Sequence, residues 1–201
     1  VGTDDGGFVV SAYSFDTTMK AMLIKFNNKG DTIFTKEYLN PYYPQADFIR
    51  PMCLMVAGNA DIIMACWLGL QNLANYTDIL IIRTDSLGNL KYHKQLGTSL
   101  RDIPQCIAGM ALDETIIGAI RTNEGLVTEG YTLQAYILGI DSAGAQNWSY
   151  LSPPTAGLRD AANDMLLLDD GSIVVASGIG HGQQRSSVNE VYFDRYVFKL
   201  N

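Results

Sequence analysis

The sequence predicts an all-β protein, a β-propeller built of four-stranded antiparallel blades. One sign is a hairpin motif: an apolar strand ends at Asn or Asp, glycine follows three positions later, and an aromatic residue follows four positions after that. A second sign is regular repetition, because the turn residue recurs at Asn27, Asp85, Asp141 and Asn201, at intervals of 58, 56 and 60 residues. Four short strands in each period of about 40 to 60 residues are typical of propeller blades. A β-sandwich would not need the same turn in every period.

Each repeat contains four predicted strands, labelled a to d from the propeller axis outward. Strand b is a short apolar run at residues 7–13, 62–67, 116–121 and 173–178, as expected of a strand buried on both faces. One position of strand b is small in every repeat: Ser11, Ala65, Ala119 and Ala176. Because a larger side chain would overpack such a contact, neighbouring sheets are expected to approach closely there.

The other three strands follow from the same register. Strand c is predicted at residues 22–26, 80–84, 136–140 and 196–200, and one of its positions recurs as Lys25, Arg83, Gly139 and Lys199. Strand d follows the hairpin turn and carries the aromatic residue Phe34, Tyr92 or Trp148 within the alternation of a half-exposed outer strand. Strand a, the innermost, is predicted at residues 47–55, 102–110 and 160–168.

The strands add up to about three and a half blades in one propeller segment spanning residues 1–201. The blades are predicted at residues 1–39, 46–96, 101–151 and 159–201, with the first lacking strand a and the last lacking strand d. Natural sheets avoid unpaired edges of this kind. The chain is therefore interpreted as a segment of a larger propeller that continues into further blades of its parent chain.

Composition excludes several classes of partner. With 201 residues, 47% of them hydrophobic, the chain can bury a substantial core. Its net charge is −7 and it has no basic run, which argues against a nucleic-acid partner. No apolar stretch approaches the roughly 18 residues that a membrane span needs, so no membrane insertion is predicted.

Neither a metal nor a cofactor is predicted. The Asp-x-x-Gly turns lack the alternating acidic ligands of a calcium-binding loop. Only one repeat has the Trp of quinone-binding propellers, and adjacent cysteines are missing. The three cysteines have no CxxC spacing and are expected to be small buried residues, although Cys53 and Cys66 could face each other across one hairpin and form a disulfide.

Two consecutive motifs give the chain a resemblance to a known family. Asp5-Gly6-Gly7-Phe8-Val9-Val10 is followed by an apolar residue, Lys, one further residue, Asn or Asp, and then the hairpin turn. This pattern resembles the propeller repeats of secreted and cell-surface proteins of Gram-negative bacteria. The resemblance implies an extracytoplasmic location, secreted or on the bacterial surface, and implies no activity.

Long connections predict where a partner would bind. The a–b and c–d turns are tight, whereas the b–c loops at 68–77, 122–134 and 179–194 and the d–a crossovers at 40–46, 97–101 and 152–159 are long and varied. Since function usually lies on loops held by a rigid scaffold, the ligand is expected on this face. The candidate binding residues share types suited to protein or glycan contact: Tyr42, Tyr43, Arg101, Asp102, Tyr131, Arg159, Asp160, His181 and Arg185.

Two identical triplets, Leu-Arg-Asp at 100–102 and at 158–160, enter strand a. Converging Asp and Arg side chains would hold a polar or cationic ligand at the propeller axis. The favoured interpretation is an Arg–Asp pair that closes each loop, because repeated residues usually serve the repeat and a ligand would break the symmetry.

The function predicted from the sequence is a non-catalytic module that binds a protein or a glycan through its loop face. The alternative is a propeller enzyme, a hydrolase or a lyase, with its site among the same loops. No catalytic residues can be assigned, because acid, base and nucleophile candidates are scattered along the chain and neither histidine has a second histidine at metal-ligand spacing.

Overall fold

The computed structural model describes residues 1–15, 19–40, 48–69, 77–98, 100–109, 114–123, 132–153, 160–182 and 191–200. Fourteen β-strands lie in these residues. They are β1 Phe8–Phe15, β2 Met19–Phe26, β3 Thr32–Tyr38, β4 Phe48–Val56, β5 Ile62–Gly69, β6 Thr77–Thr84, β7 Leu90–Leu96, β8 Arg101–Gly109, β9 Thr115–Asn123, β10 Thr132–Ile140, β11 Gln146–Leu151, β12 Ala162–Leu167, β13 Ile173–Gly182 and β14 Val191–Leu200.

The strands form four antiparallel sheets. Sheet 1 has the order β1-β2-β3, sheet 2 β4-β5-β6-β7, sheet 3 β8-β9-β10-β11 and sheet 4 β12-β13-β14. The innermost strands β4, β8 and β12 lie side by side. The predicted fold class is confirmed: the chain is all-β, with antiparallel blades and about three and a half blades present.

The predicted hairpin turns close as their sequence indicates. The side chains of Asn27, Asp85 and Asp141 each accept hydrogen bonds from the backbone N–H groups two and four residues later, at 2.8–2.9 Å. The glycine that follows has positive φ, 74° at Gly88 for example. A residue with a β-carbon would be strained there, so the motif fixes both the turn and the register of the strands on either side.

The apolar core lies between the sheets. Val9 and Leu23 of sheet 1 pack against Ile62 and Met64 of sheet 2, and all four side chains are fully buried. Equivalent layers separate sheet 2 from sheet 3 and sheet 3 from sheet 4. Burial of apolar area at about 25 cal/mol per Å² makes these layers the main stabilising term of the fold.

The outward faces of sheets 1 and 4 are apolar and exposed. Val10 on sheet 1 is 41% exposed, whereas Met64, at the same position of sheet 2, is fully buried. Val197 on sheet 4 is 64% exposed, whereas its counterpart Ile81 is fully buried. These two faces therefore have the composition of faces that lie between blades.

The predicted small position of strand b is wrong by one residue in the third repeat. Thr115 pairs with Gly109 of β8 and with Ile140 of β10, at the positions where Ile62 pairs with β4 and β6. Thr115 is therefore the counterpart of Ile62. Three residues further along each strand, Gly118, and not Ala119, is the counterpart of Ala65. The pairing of β9 with β8 and β10 sets this register. A β-carbon at Gly118 would lie 2.5 Å from Cys106 Sγ, which is the close approach that the sequence predicts at this position.

The possible disulfide between Cys53 and Cys66 is not formed, and both cysteines are free. Cys53 pairs with Ala65, not with Cys66, because a β-bulge interrupts the register of β4 and β5. The two side chains then lie in different core layers, Cys66 facing sheet 1 and Cys53 facing sheet 3. Burial raises the pKa of both thiols, which keeps them protonated.

The short a–b and c–d turns lie at one end of the sheets, here called the turn end. In each repeat, one acidic side chain lies there beside the recurring strand c position. The pairs are Lys25–Asp5 at 2.6 Å, Arg83–Asp61 at 2.7 Å with Lys91 also 2.5 Å from Asp61, and Lys199–Asp170 at 3.0 Å. In the third repeat Gly139 leaves room for Trp148, whose Nε1–H donates to Glu114 at 2.8 Å. An indole N–H thus replaces the missing cation.

Candidate functional site

The candidate site lies at the opposite ends of the sheets, where the connections β5–β6, β7–β8 and β9–β10 leave; this is called the loop end. Sheets 2 and 3 differ in chemistry at three equivalent loop-end positions. In sheet 2 these positions carry fully buried apolar side chains: Ile49, Leu68 and Leu80. In sheet 3 they carry Asp102, Arg121 and Tyr136. Sheet 3 therefore carries a buried polar cluster at positions where sheet 2 is apolar.

Asp102 is the centre of this polar cluster and is 0% exposed. It accepts hydrogen bonds from the backbone N–H of Thr98 at 2.8 Å and from the Thr98 hydroxyl at 3.0 Å. Arg121 Nε lies 3.6 Å from its other oxygen, and the Arg121 guanidinium lies 5.1 Å from the ring centroid of Tyr136. Burial raises the pKa of Asp102 despite the hydrogen bonds from Thr98 and the nearby Arg121 charge.

Asp78, at the start of β6, is a second carboxyl of the same cluster. Gln95 donates a short hydrogen bond to one of its oxygens, while the other oxygen is buried and has no partner among the described residues. Burial raises the pKa of Asp78 as well. A β-carbon at Gly97, where φ is 143°, would lie 2.6 Å from Asp78 and 3.2 Å from Asp102, so both carboxyls converge where only glycine fits.

A row of alternating aromatic and arginine side chains runs across the first three sheets beside this cluster. The Arg50 guanidinium lies 5.5 Å from the ring centroid of Tyr13 and 5.7 Å from that of Trp67. The Arg101 guanidinium lies 5.2 Å from the same Trp67 ring. All three contacts are within the range of cation–π attraction. We call Tyr13, Arg50, Trp67 and Arg101 the aromatic–arginine row.

The aromatic–arginine row is accessible to solvent, and some of its N–H groups have no hydrogen-bond acceptor among the described residues. Tyr13 is 49% exposed, Arg50 is exposed, and Trp67 and Arg101 are half-buried. None of the ion pairs among the described residues includes Arg50 or Arg101. Buried N–H groups of Trp67 and Arg101 have no acceptor in the described part of the chain. Such groups are costly to leave unpaired, which is typical of a binding surface.

Two of the residues predicted from the sequence meet at this site. Arg101 joins the aromatic–arginine row and Asp102 forms the centre of the polar cluster. The predicted Arg–Asp pair within one triplet is wrong in its partner, because Asp102 bonds Thr98 and faces Arg121 while Arg101 stacks on Trp67. The side chains at neighbouring strand positions point to opposite faces, so the two members of a triplet diverge.

The Asp of each triplet is also expected to close its loop. Asp160 does so, since it accepts a hydrogen bond from Ser152 Oγ at 3.1 Å. His181 was expected in a loop at 179–194 but lies on β13, opposite Tyr192, because the β13–β14 ladder continues to Gly182 and Val191. Continued pairing satisfies backbone groups of this glycine-rich stretch. The remaining predicted residues lie outside the described residues: Tyr42, Tyr43, Tyr131, Arg159 and Arg185.

Sequence reasoning missed most of the site. The missed residues all lie on strands: Tyr13, Arg50, Trp67, Asp78, Arg121 and Tyr136. A usable signal existed, because Tyr13 and Trp67 occupy the same strand b position and both are amphipathic residues next to a long loop. Their convergence with Arg50 and Arg101 depends on how sheets pack, which spacing along the chain does not give.

The described residues contain no cluster of three His, Cys, Asp or Glu side chains placed to hold a metal ion. Within the same residues, no helix is long and apolar enough to cross a membrane.

Comparison with known proteins identifies the fold. No family model matches the chain, and no curated protein matches it in sequence. The structure of an ulvan lyase from a new family of polysaccharide lyase is similar, with a TM-score of 0.59, 11% identity and coverage of 98% of this chain and 54% of the lyase. The same lyase bound to -[GlcA(1-4)Rha3S]- gives a TM-score of 0.54 at 11% identity, covering 98% and 50%. A Penicillium chrysogenum α-L-arabinanase complexed with arabinobiose gives 0.47 at 13% identity, covering 97% and 61%.

The two lyase structures match nearly all of this chain at TM-scores above 0.5, so they share its fold. The chain spans about half of the length of the lyase structures that it matches. The fold therefore defines the class: the chain is an all-β protein with the four-stranded blades of a β-propeller.

Proposed function

We propose that this chain is part of an extracytoplasmic β-propeller that binds a glycan at its loop end and catalyses no reaction there. The observation that carries this proposal is the aromatic–arginine row. Aromatic rings offer large apolar faces, and guanidinium groups offer several donors for hydroxyl and acidic oxygens. A row of both, open to solvent and crossing three sheets, suits an extended polar chain of rings.

A glycan fits this row better than a protein does. A stable protein interface takes about 800 Å² from each partner, whereas the row is a narrow line of four side chains. The ulvan lyase with its bound oligosaccharide is an example of a similar fold that accommodates such a ligand.

The polar cluster supports a binding site without chemistry. Asp102 is fully enclosed by Thr98 and Arg121 and would not reach a ligand on the surface. Asp102 instead accepts hydrogen bonds from Thr98 and so holds the β7–β8 connection in place. This connection brings Arg101 to Trp67. Binding sites are generally placed on loops that a rigid scaffold fixes in this way.

One observation favours the second candidate, a glycan-cleaving hydrolase or lyase. Asp78 and Asp102 converge at Gly97, and burial raises the pKa of both. A carboxyl with a raised pKa can act as a general acid near neutral pH. Buried polar residues in place of an apolar layer also occur at active sites.

We also propose that further blades of a longer chain cover the exposed outward faces of sheets 1 and 4. Val10 and Val197 occupy positions that are fully buried in sheet 2. Expression with additional blades would lower the exposure of both, as measured by hydroxyl-radical footprinting of the two valines. Unchanged footprinting in the longer protein would contradict this proposal.

The function is tested by binding a panel of neutral and acidic polysaccharides to the intact protein and to a Tyr13→Ala variant. Leu87→Ala is the matched control, because Leu87 is 62% exposed but lies in a turn at the other end of the sheets. We expect glycan binding that Tyr13→Ala weakens and Leu87→Ala leaves unchanged, with no new reducing ends or unsaturated products. Product formation that Asp78→Asn abolishes would establish the enzyme instead, and absence of binding to every glycan would overturn the proposal.

A further inference from the structure

We propose that the ligand is an anionic glycan and that Arg50 and Arg101 bind its carboxylate or sulfate groups. This inference rests on the proposed function and adds the chemical class of the ligand. It assigns the two arginines as the groups that distinguish acidic from neutral sugars.

Charge pairing is the first reason. The chain has 14 basic and 21 acidic residues, so acidic side chains outnumber the cations that they could pair with. At the turn end the recurring cations face acids: Lys25, Arg83, Lys91 and Lys199. Arg50 and Arg101 take part in none of the ion pairs of the described residues and stack on aromatic rings instead. Two cations are thus kept available at one place.

The stacking geometry is the second reason. A guanidinium carries its N–H donors in its own plane, so contact through its face leaves the donors open. A planar fork of this kind matches the oxygens of a carboxylate or sulfate and can bind them in a bidentate manner. Arg50 is held between two rings and Arg101 is held on one of the same rings, so little side-chain freedom is lost when an anion binds.

Unpaired donors are the third reason. Trp67 Nε1–H and Arg101 Nε–H are both buried without an acceptor in the described residues, and both belong to the same stacked contact. An acidic oxygen entering at this contact would supply an acceptor. The nearby Asp102 does not oppose an anion strongly, because its charge is offset by Arg121, whose Nε lies 3.6 Å away.

Two pairs of polysaccharides test the proposal with the intact protein. Polygalacturonate is compared with its carboxyl-reduced form, and a carrageenan is compared with its desulfated form, by isothermal titration at fixed ionic strength. The first pair reports a carboxylate and the second a sulfate. Variants Arg50→Gln and Arg101→Gln are measured beside Lys29→Gln, which removes the same charge from an exposed hairpin turn at the turn end.

We expect at least one acidic polymer to bind about tenfold or more tightly than its neutral form, since a charge-assisted hydrogen bond is worth roughly 1.5–3 kcal/mol. Arg50→Gln and Arg101→Gln should each remove most of this preference, while Lys29→Gln retains it. Equal binding of acidic and neutral forms would overturn the inference but leave glycan binding intact. An acidic preference that both arginine variants keep would also overturn it, and failure of all four polymers to bind would count against both proposals.

Discussion

The turn end and the aromatic–arginine row of the loop end use cations in opposite ways. At the turn end, Asp61 lies between Arg83 and Lys91, and the other repeats have their own acid–cation or acid–indole contact. At the loop end, Arg50 and Arg101 stack on aromatic rings and take part in none of the described ion pairs. The carboxyl pKa values also differ between the two ends. The pKa of Asp85 at the turn end is lowered by hydrogen bonds from Asn89, whereas burial raises the pKa values of Asp78 and Asp102 at the loop end.

The difference separates stability from recognition. Turn-end contacts recur in every repeat, so they serve the blade and stabilise its hairpins. The loop-end cluster between sheets 2 and 3 has Asp102, Arg121 and Tyr136 at positions that carry apolar side chains in sheet 2, and apolar side chains there would contribute more to stability. Polar groups kept at a cost in stability are expected at a binding site, which is the role that we propose for the loop end.

The largest effect is expected at the turn end, for Asp61→Asn. The side chains of Asp61 and Arg83 are each 4% exposed, and removal of one charge from such a buried pair costs about 3–5 kcal/mol. Urea unfolding at pH 7 should show this loss, while glycan affinity of the folded variant stays unchanged. A stability loss below about 1 kcal/mol would contradict a special role of the turn end in stability.

The same pair predicts how stability depends on pH. Burial alone would raise the pKa of Asp61, but hydrogen bonds from Lys91 and Arg83 outweigh it and hold the pKa below its usual value. A lowered folded pKa stabilises the protein above the unfolded value of about 3.9, and this contribution is lost as pH falls. The stability gap between the protein and Asp61→Asn should therefore close below pH 4; a constant gap would contradict the ion-pair account.

A smaller effect is expected for Gly139→Ala. The new β-carbon would lie 2.3 Å from Trp148 Nε1, so the indole must leave Glu114. Overpacking of this kind typically costs about 1–3 kcal/mol. In a Trp148→Phe background the cost should shrink, which a double-mutant cycle measures. Additive effects of the two changes would show that Trp148 does not occupy the position of the missing cation.

The smallest effect is expected at the loop end, for Asp78→Asn. Burial raises the pKa of Asp78, so its ionised form destabilises the folded protein above the folded pKa, and this penalty is absent below the unfolded value. Asp78→Asn should be more stable than the protein at pH 7 and equal to it near pH 3. Urea unfolding at the two pH values measures this difference, and destabilisation at pH 7 would show that the carboxylate serves stability after all.

Much of the fold could be predicted because its signals are local. Asp85 and Gly88 form their turn from four neighbouring residues, and period-2 alternation then sets the strands beside it. The register of β9 could not be predicted in the same way, since it depends on pairing with β8 and β10. The sequence consequently predicts Ala119 at the small position, which Gly118 occupies in the structure.

The candidate site could be predicted only in part. Arg101 and Asp102 were found because they precede strand a next to a long connection. The sequence predicts Trp67 as part of a buried strand, although its ring faces two arginines from different sheets. Contacts between sheets decide such a site, and the sequence of one strand carries no record of which neighbour will face it.

One paired measurement tests the separation of stability from recognition most directly. Arg83→Gln and Arg101→Gln make the same chemical change at the two ends, and each is measured for unfolding free energy in urea and for affinity toward the acidic polysaccharide. Arg83→Gln should lose about 3 kcal/mol or more of stability and keep its affinity. Arg101→Gln should keep its stability within about 1 kcal/mol and lose about tenfold in affinity. Loss of stability at Arg101, or loss of affinity at Arg83 in the folded protein, would contradict the account.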